Sequence, residues 1–141
     1  MRKLIEKNPV VAILRNVPLD SLQFCDRLAK LDSLSAVLSG GIGAVEIALN
    51  SKDALKQIET AKLAFGDKMA VGAGTAVTVT LVKEAVQAGA DFLLSPSADR
   101  DVLEYCAEQG IKLLPGVMTP SDVSLCLRCG FDLLKLFPAG D

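Results

Sequence analysis

The feature that most constrains the fold is a repeat in which short apolar runs alternate with longer segments of helical spacing. The period is about 20–25 residues over most of the chain. The apolar runs predict strands over residues 9–14, 44–49, 69–73, 90–94, 111–114 and 131–138. The segments between them predict helices over residues 18–38, 52–65, 78–88, 99–109 and 119–128, most of them closed by glycine. Apolar strands that alternate with helices indicate a parallel sheet with right-handed crossovers.

Polar residues at the strand ends favour one arrangement of this sheet. Six β/α units without a clear nucleotide fingerprint fit part of a (β/α)8 TIM-type barrel or an open doubly wound sheet. At or near the C-terminal ends of five predicted strands lie Arg15, Glu46, Thr75, Ser95 and Lys135. A barrel brings those ends to one mouth, whereas an open sheet spreads them along an edge. We therefore predict an α/β protein in which residues 1–141 form a single incomplete barrel domain of about six β/α units.

Composition excludes several classes of function. The net charge of −2 over 141 residues does not indicate a protein that binds nucleic acid. No apolar run approaches the roughly 18 residues that a membrane span requires. Residues 1–7 are charged and lack the apolar core of a signal peptide, and the four cysteines form no dense framework, so a cytoplasmic location is expected. Histidine is absent, which excludes Ser-His and Cys-His dyads and imidazole-based zinc sites.

Two ionisable residues inside apolar strands are the candidate catalytic groups. Lys135 has apolar neighbours on both sides. A buried ammonium there would destabilise the fold unless it were paired or lost its proton. The alternative is a lysine whose side chain extends along the apolar surface and places its ammonium in water. Glu46 either pairs with a cation such as Arg15 or Lys135, or acts as a general base. Together these residues suit one chemistry. The amine condenses with a 2-keto acid, the protonated imine withdraws electrons, the carboxylate moves protons, and the arginine binds the substrate carboxylate.

Three other motifs are interpreted structurally. The stretch GAGT at 72–75 begins like a dinucleotide loop, but Val77 stands where the third glycine belongs, so the glycines are expected to allow close backbone approach. The CxxC pair at 126–129 ends a helix and lacks further ligands for a metal, which favours core packing. Asn50 and Ser51 are predicted to cap the helix that follows them.

Seven stretches carry a family resemblance. They are VVAILR at 10–15, GGI at 40–42, VEIALNS at 45–51, VGAGT at 71–75, SP at 95–96, LPGVMTP at 114–120 and LKLFPA at 134–139. Together, in this order, they resemble the class I 2-keto-3-deoxy-6-phosphogluconate aldolases and the closely similar 6-phosphogalactonate aldolases. The resemblance extends over nearly the whole chain.

The resemblance implies a role for each matching residue. Lys135 would be the Schiff-base lysine and Glu46 the proton shuttle, while Arg15 and Thr75 would hold the carboxylate region of the pyruvyl group. The implied reaction is the reversible cleavage of a 2-keto-3-deoxy-6-phospho sugar acid to pyruvate and glyceraldehyde 3-phosphate. Enzymes of this family need no metal or cofactor, act on small-molecule 2-keto acids, and are usually homotrimers.

Pocket shape and sugar preference rest on three further residues. Pro96 and Phe137 would shape the pocket around the imine. Many gluconate-type members have arginine where this chain has Asn50, and the Leu-Asn-Ser sequence is more similar to the galactonate type.

Two departures from the family bear on activity. The region 18–39 is several residues longer than usual, and a polar stretch over 30–35 is expected to divide its helix. The chain stops at Asp141, after the sixth strand, whereas family members continue through two more strands whose loops carry the phosphate site. We therefore expect either a longer gene product or a partner that covers the open edges. The alternatives in function are a catalytically silent barrel that serves assembly and a broader 2-keto acid lyase, such as a 4-hydroxy-2-oxoglutarate aldolase or oxaloacetate decarboxylase.

Overall fold

The computed structural model describes residues 1–18 and 33–140, and in these ranges strands alternate with helices as the repeat predicts. The helices are α1 (Arg2–Lys7), α2 (Ser33–Ser39), α3 (Ala54–Phe65), α4 (Val79–Gln87), α5 (Arg100–Glu108) and α6 (Pro120–Arg128). The strands are β1 (Ala12–Leu14), β2 (Ala44–Ala48), β3 (Ala70–Gly74), β4 (Phe92–Leu94), β5 (Leu113–Leu114), β6 (Gly116–Val117) and β7 (Lys135–Leu136). Within these ranges, no helix combines the length and the apolar character needed to cross a bilayer.

All strand pairs in the described residues are parallel, and the strands follow one another in chain order. Strands β1 to β5 form one sheet, and β6 pairs with β7. Pro115 separates β5 from β6 because it has no N–H to donate, while its carbonyl oxygen accepts a 2.9 Å hydrogen bond from the N–H of Lys135. Strands β5 and β6 therefore act as one interrupted strand, which gives six strand positions in sequence order. A doubly wound sheet reverses its order partway, so this order is that of a TIM-type barrel, as predicted.

The two faces of the sheet carry different helices. Outward-facing strand residues such as Val45 and Leu93 join the main core, to which each of α2 to α6 contributes a buried side chain. Ala44 and Phe92 belong to a smaller cluster on the inner face, where Leu4 of α1 packs. Burial of a large apolar side chain stabilises the fold by about 1.5–3 kcal/mol, so the larger outer cluster provides most of this stabilisation.

Helix ends follow the local sequence at several positions. Thr119 and Asp122 form a capping box at the start of α6, each side chain accepting a hydrogen bond from the other residue's N–H. Gly89, Gly110 and Gly130 follow α4, α5 and α6 with positive φ angles, which glycine adopts without a steric cost. The prediction that glycine closes the helices is therefore confirmed at these three helix ends.

Several sequence predictions of elements are wrong. The apolar pattern predicts neither α1 nor β6, and the predicted sixth strand over 131–138 is reduced to Lys135–Leu136. Helix α3 is not capped by Asn50 and Ser51: its N-cap is Asp53, whose φ is 57°. The Ser51 hydroxyl instead accepts a hydrogen bond from the backbone N–H of Asn16, 35 residues earlier in the chain. The predicted helix over 18–38 is observed only as α2, and its earlier part lies outside the described residues.

Candidate active site

Glu46 lies in the middle of β2 and is only 2% exposed. Its register partner on β3 is Gly72, and Gly74 lies two residues further along the same face of that strand. A Cβ atom built on Gly74 would overlap Oε1 of Glu46 and lie 2.7 Å from its Cγ. Glycine at position 74 therefore leaves the space that the carboxylate occupies.

The environment of Glu46 favours its protonated form. Its Oε2 atom is buried and has no hydrogen-bond partner among residues 1–18 and 33–140. Burial raises the pKa of the Glu46 carboxyl, while the charges of Lys135 and then Arg15 act in the opposite direction. Because desolvation is the largest of these effects, the pKa stays above its ordinary value. A carboxyl of this kind can hold a proton and release it to a bound molecule.

Lys135 begins β7 and is fixed to the neighbouring strand through its backbone. Gly116 is its register partner on β6. The Nζ atom lies 4.6 Å from the centroid of the Phe137 ring, which is a cation–π distance. The apolar neighbours of Lys135 do not bury it fully, since Lys135 is half-buried and Leu136 is 64% exposed. The reason is that β7, within the described ranges, pairs with β6 alone and leaves its other edge open.

Arg15 follows β1 directly and is exposed. The chain turns immediately after it, because Asn16 has a φ of 54°, a left-handed conformation that asparagine tolerates better than most residues. The Asn16 N–H donates a 2.9 Å hydrogen bond to Oγ of Ser51, and Nε2 of Gln57 donates a 2.8 Å hydrogen bond to the carbonyl oxygen of Val17. The turn that carries Arg15 is thus attached to the segment that follows β2.

Other predicted site residues lie around this pair of strands. Thr75 follows Gly74 with a φ of 63°, a genuine outlier for a β-branched residue. Such strain costs about 1–3 kcal/mol and is concentrated at active sites. Pro96 follows β4, and a Cβ atom on Gly116 would overlap the Pro96 carbonyl group. Because Gly116 is also the register partner of Lys135, this glycine lets Pro96 approach the lysine strand.

The structure thus brings most of the predicted site together. The charges of Lys135 and Arg15 both act on the Glu46 carboxyl. Phe137 contacts the lysine, and Thr75 and Pro96 adjoin the two glycines that leave room around the site. Asn50 lies exposed in the turn after β2, and its role stays a prediction. The sequence assigned no role to Gln57. It predicted Ser51 as a helix cap, and Gly74 only as one of the glycines of the GAGT stretch that allow close backbone approach.

Two of the structural interpretations from the sequence are confirmed. The Gly72 position faces the ring of Phe92 so closely that a Cβ atom would overlap it, as expected of glycines that permit close approach. Cys126 is fully buried in the main core, with Cys129 packed against it. Burial raises the pKa of the Cys126 thiol, which makes it less reactive. Ser95, another strand-end polar residue, donates its hydroxyl locally to the Ser97 carbonyl oxygen at 2.8 Å.

Two cavities lie away from the candidate catalytic residues. A cavity of about 520 Å³ is lined by Met1, Ile111 and Leu133, on the side where the strands begin. Another of about 330 Å³ is lined by Lys7, Gly43 and their neighbours on the same side. Neither of these two cavities is lined by Glu46 or Lys135. Within residues 1–18 and 33–140, no group of three or more His, Cys, Asp or Glu side chains is arranged to hold a metal ion.

Parallel strands that follow one another in chain order and alternate with helices define a TIM-type barrel. The model of the KDPG and KHG aldolase family matches residues 4–141, so the chain belongs to this family.

Individual relatives agree with this assignment. The probable 2-dehydro-3-deoxy-6-phosphogalactonate aldolase of Rhizobium meliloti is 31% identical over 133 residues, which cover 94% of this chain and 59% of the relative. The 2-dehydro-3-deoxy-phosphogluconate aldolase of Zymomonas mobilis is 36% identical over 104 residues, covering 74% of this chain and 49% of the relative. The chain therefore spans about half to three fifths of the length of these curated relatives.

A solved structure matches in fold as well as in sequence. The KDPG aldolase of Legionella pneumophila, solved with pyruvate captured at low pH as a covalent carbinolamine intermediate, superimposes with a TM-score of 0.84. It is 31% identical, and the match covers 94% of this chain and 60% of the Legionella chain.

Proposed function

We propose that this chain carries the imine-forming site of a class I aldolase. The enzyme cleaves 2-keto-3-deoxy-6-phospho sugar acids to pyruvate and glyceraldehyde 3-phosphate. The observation that carries the proposal is the buried Glu46 carboxyl, whose Oε2 has no hydrogen-bond partner within residues 1–18 and 33–140 and on which the charge of Lys135 acts. The capture of pyruvate as a carbinolamine by the Legionella relative supports the same chemistry. No metal or cofactor is needed, because the protonated imine itself withdraws the electrons.

The steps use these two side chains. The neutral Nζ of Lys135 adds to C2 of the keto acid, and the protonated Glu46 carboxyl gives its proton to the C2 hydroxyl, which leaves as water; the products are a protonated imine and the Glu46 carboxylate. Glu46 takes the proton of the C4 hydroxyl as the C3–C4 bond breaks, and the bonding electrons move into the imine to give an enamine. The aldehyde leaves, and Glu46 returns the proton to C3. Water then hydrolyses the imine and releases pyruvate and the free lysine.

The surrounding residues bind and orient the substrate in this proposal. Arg15 and Thr75 hold the carboxylate of the pyruvyl group, and a guanidinium suits this because it binds a carboxylate through two hydrogen bonds. Pro96 and Phe137 form the walls around the imine. Asn50 contacts the sugar part, and the relatives named for galactonate and gluconate derivatives leave both sugar acids as substrates to test.

Assembly and location follow the family in the same proposal. Residues 1–141 act as one barrel domain in a cytoplasmic homo-oligomer, which we expect to be a trimer. The resemblance supports this assembly, and open strand edges such as that of β7 support contact with a further chain or segment.

Borohydride trapping tests the proposal directly. Pyruvate plus borohydride should add a stable reduced adduct, and peptide mapping should place it on Lys135. Lys135→Ala should abolish the adduct. Lys135→Arg should also abolish it, because a guanidinium remains charged and does not condense. Lys83, whose Nζ lies 5.2 Å from the centroid of the Tyr105 ring, offers a matched control, and Lys83→Arg should leave the adduct intact.

The outcome separates the candidate functions. An adduct on another lysine would refute the site. Absence of any adduct from a folded sample would favour the silent barrel, which the exposure of Leu136 beside the lysine supports. Turnover of 4-hydroxy-2-oxoglutarate or oxaloacetate with the same lysine would instead indicate the broader 2-keto acid lyase.

A further inference from the structure

We infer that Ser51 and Gln57 form a polar clamp that positions Arg15 for the carboxylate of the substrate. The inference rests on the proposed function, because it assigns the clamp to carboxylate binding at that site. Neither residue is a candidate to touch substrate or to transfer a proton. Their role is to hold the backbone that follows Arg15.

The Ser51 contact fixes an uncommon backbone conformation. Ser51 is buried, and its Oγ accepts a 2.9 Å hydrogen bond from the N–H of Asn16, which lies 35 residues earlier. Asn16 has a left-handed φ of 54°, so this residue turns the chain sharply right after Arg15. A buried serine whose hydroxyl binds a distant left-handed residue favours that turn over the extended alternatives.

Gln57 attaches the next residue of the same turn. Its side chain is 1% exposed, and Nε2 donates to the carbonyl oxygens of Val17 at 2.8 Å and Lys52 at 3.1 Å. One amide therefore links the segment after β1 to the start of the region that leads into α3. Loss of a buried hydrogen-bond partner leaves a carbonyl group unsatisfied, so the link resists displacement.

The position of Arg15 explains why the clamp matters. Arg15 is exposed and follows a strand of only three residues, so its own burial does not fix it. Its backbone nevertheless lies near the site, because β1 pairs with β2 and Ile13 is the register partner of Glu46. A long flexible side chain binds a carboxylate better when its backbone is already in place, because less freedom is lost on binding.

The test compares two ketones that differ in the carboxylate. Adduct formation with borohydride is titrated with pyruvate and with acetone, in wild type, Ser51→Ala and Gln57→Met. Each variant should raise the half-saturating pyruvate concentration by about threefold to tenfold, the effect of losing one hydrogen bond. The acetone titration should not change, because acetone has no carboxylate for Arg15. Thr60→Ala is the control, since it removes a hydroxyl–backbone hydrogen bond of 2.8 Å elsewhere on α3.

A double variant distinguishes the positioning of Arg15 from a general disturbance of the site. In Arg15→Ala, the added Ser51→Ala change should have no further effect on pyruvate. Equal shifts for pyruvate and acetone, or no shift for either, would overturn the inference.

If wild type forms no imine with either ketone, the proposed function is refuted but the clamp is not yet tested. Hydrogen exchange then tests the clamp by itself. The Asn16 amide should exchange slowly in wild type and faster in Ser51→Ala, and pyruvate should perturb its NMR signal in wild type more strongly than in the variant. An unprotected Asn16 amide, or equal perturbation in both proteins, would overturn the clamp.

Discussion

Gly74→Ala is expected to remove proton transfer while leaving imine formation in place. The new Cβ atom would overlap Oε1 of Glu46 and lie 2.7 Å from its Cγ, whereas ordinary Cβ contacts begin near 3.4 Å. The side chain must therefore move by about 0.7 Å at Cγ and further at the carboxylate. A displacement of about 1 Å at a reacting group costs about a hundredfold in rate. We expect exchange of the pyruvate methyl protons to slow by about that factor.

The assay follows loss of the pyruvate methyl signal in D2O by NMR, with borohydride trapping as a separate measure of the imine. Gly72→Ala is the matched control, because its Cβ would overlap the Phe92 ring instead of Glu46. Both variants overpack the inner face of β3, at a cost of about 1–3 kcal/mol in stability. Only Gly74→Ala should lose exchange while it retains trapping. The reasoning would be refuted if Gly74→Ala exchanged the methyl protons at the wild-type rate, or if Gly72→Ala lost exchange to the same extent.

The remaining predictions concern stability. The raised pKa of Glu46 means that its contribution to stability is present below about pH 4.5, its ordinary pKa, and is lost as pH rises through the folded value. Glu46→Gln should therefore stabilise the fold at pH 7 but not at pH 4 in urea unfolding, and a penalty at pH 7 would contradict this. Cys126→Ser should lower the free energy of unfolding by about 1–3 kcal/mol because it buries a hydroxyl. Cys129 is half-buried, so Cys129→Ser should lower it by less. Equal losses in the two variants would argue against core packing of Cys126. Backbone N–H groups lower the pKa of Asp122, so its stabilisation is present above about pH 3.8 and lost as pH falls through the folded value. Asp122→Asn should abolish this acid sensitivity in thermal unfolding curves recorded across pH 2–5, and an unchanged pH profile would exclude the capping contact as its cause.

The sequence predicted the features that depend on local pattern. Strand β2 is a continuous apolar run and is buried along its whole length, including Glu46. Glycine after a helical segment marked the ends of α4, α5 and α6 because left-handed backbone is a property of that residue. The apolar runs left a barrel and an open doubly wound sheet as alternatives, and the polar residues at the strand ends favoured the barrel, which agrees with the observed strand order.

The features that failed depend on partners far away in the sequence. Ser51 looks like a helix cap, yet its hydroxyl binds Asn16 from another β/α unit. The apolar neighbours of Lys135 left open whether its amine is buried or reaches water, because exposure at β7 depends on what lies beside that strand. Helix α1 has six residues, too few for an apolar period to be recognised, although Leu4 packs against the inner face.

The pairing of β1 to β5 in chain order has a consequence for the way this chain acquires its structure. Each strand finds its partner in the unit made just before it, so the loops that must close during pairing are short. Pairing with the preceding unit lets early units form during synthesis, before later ones leave the ribosome. The long-range hydrogen bond between Asn16 and Ser51 also forms between consecutive units, so it can form as soon as β2 has docked on β1.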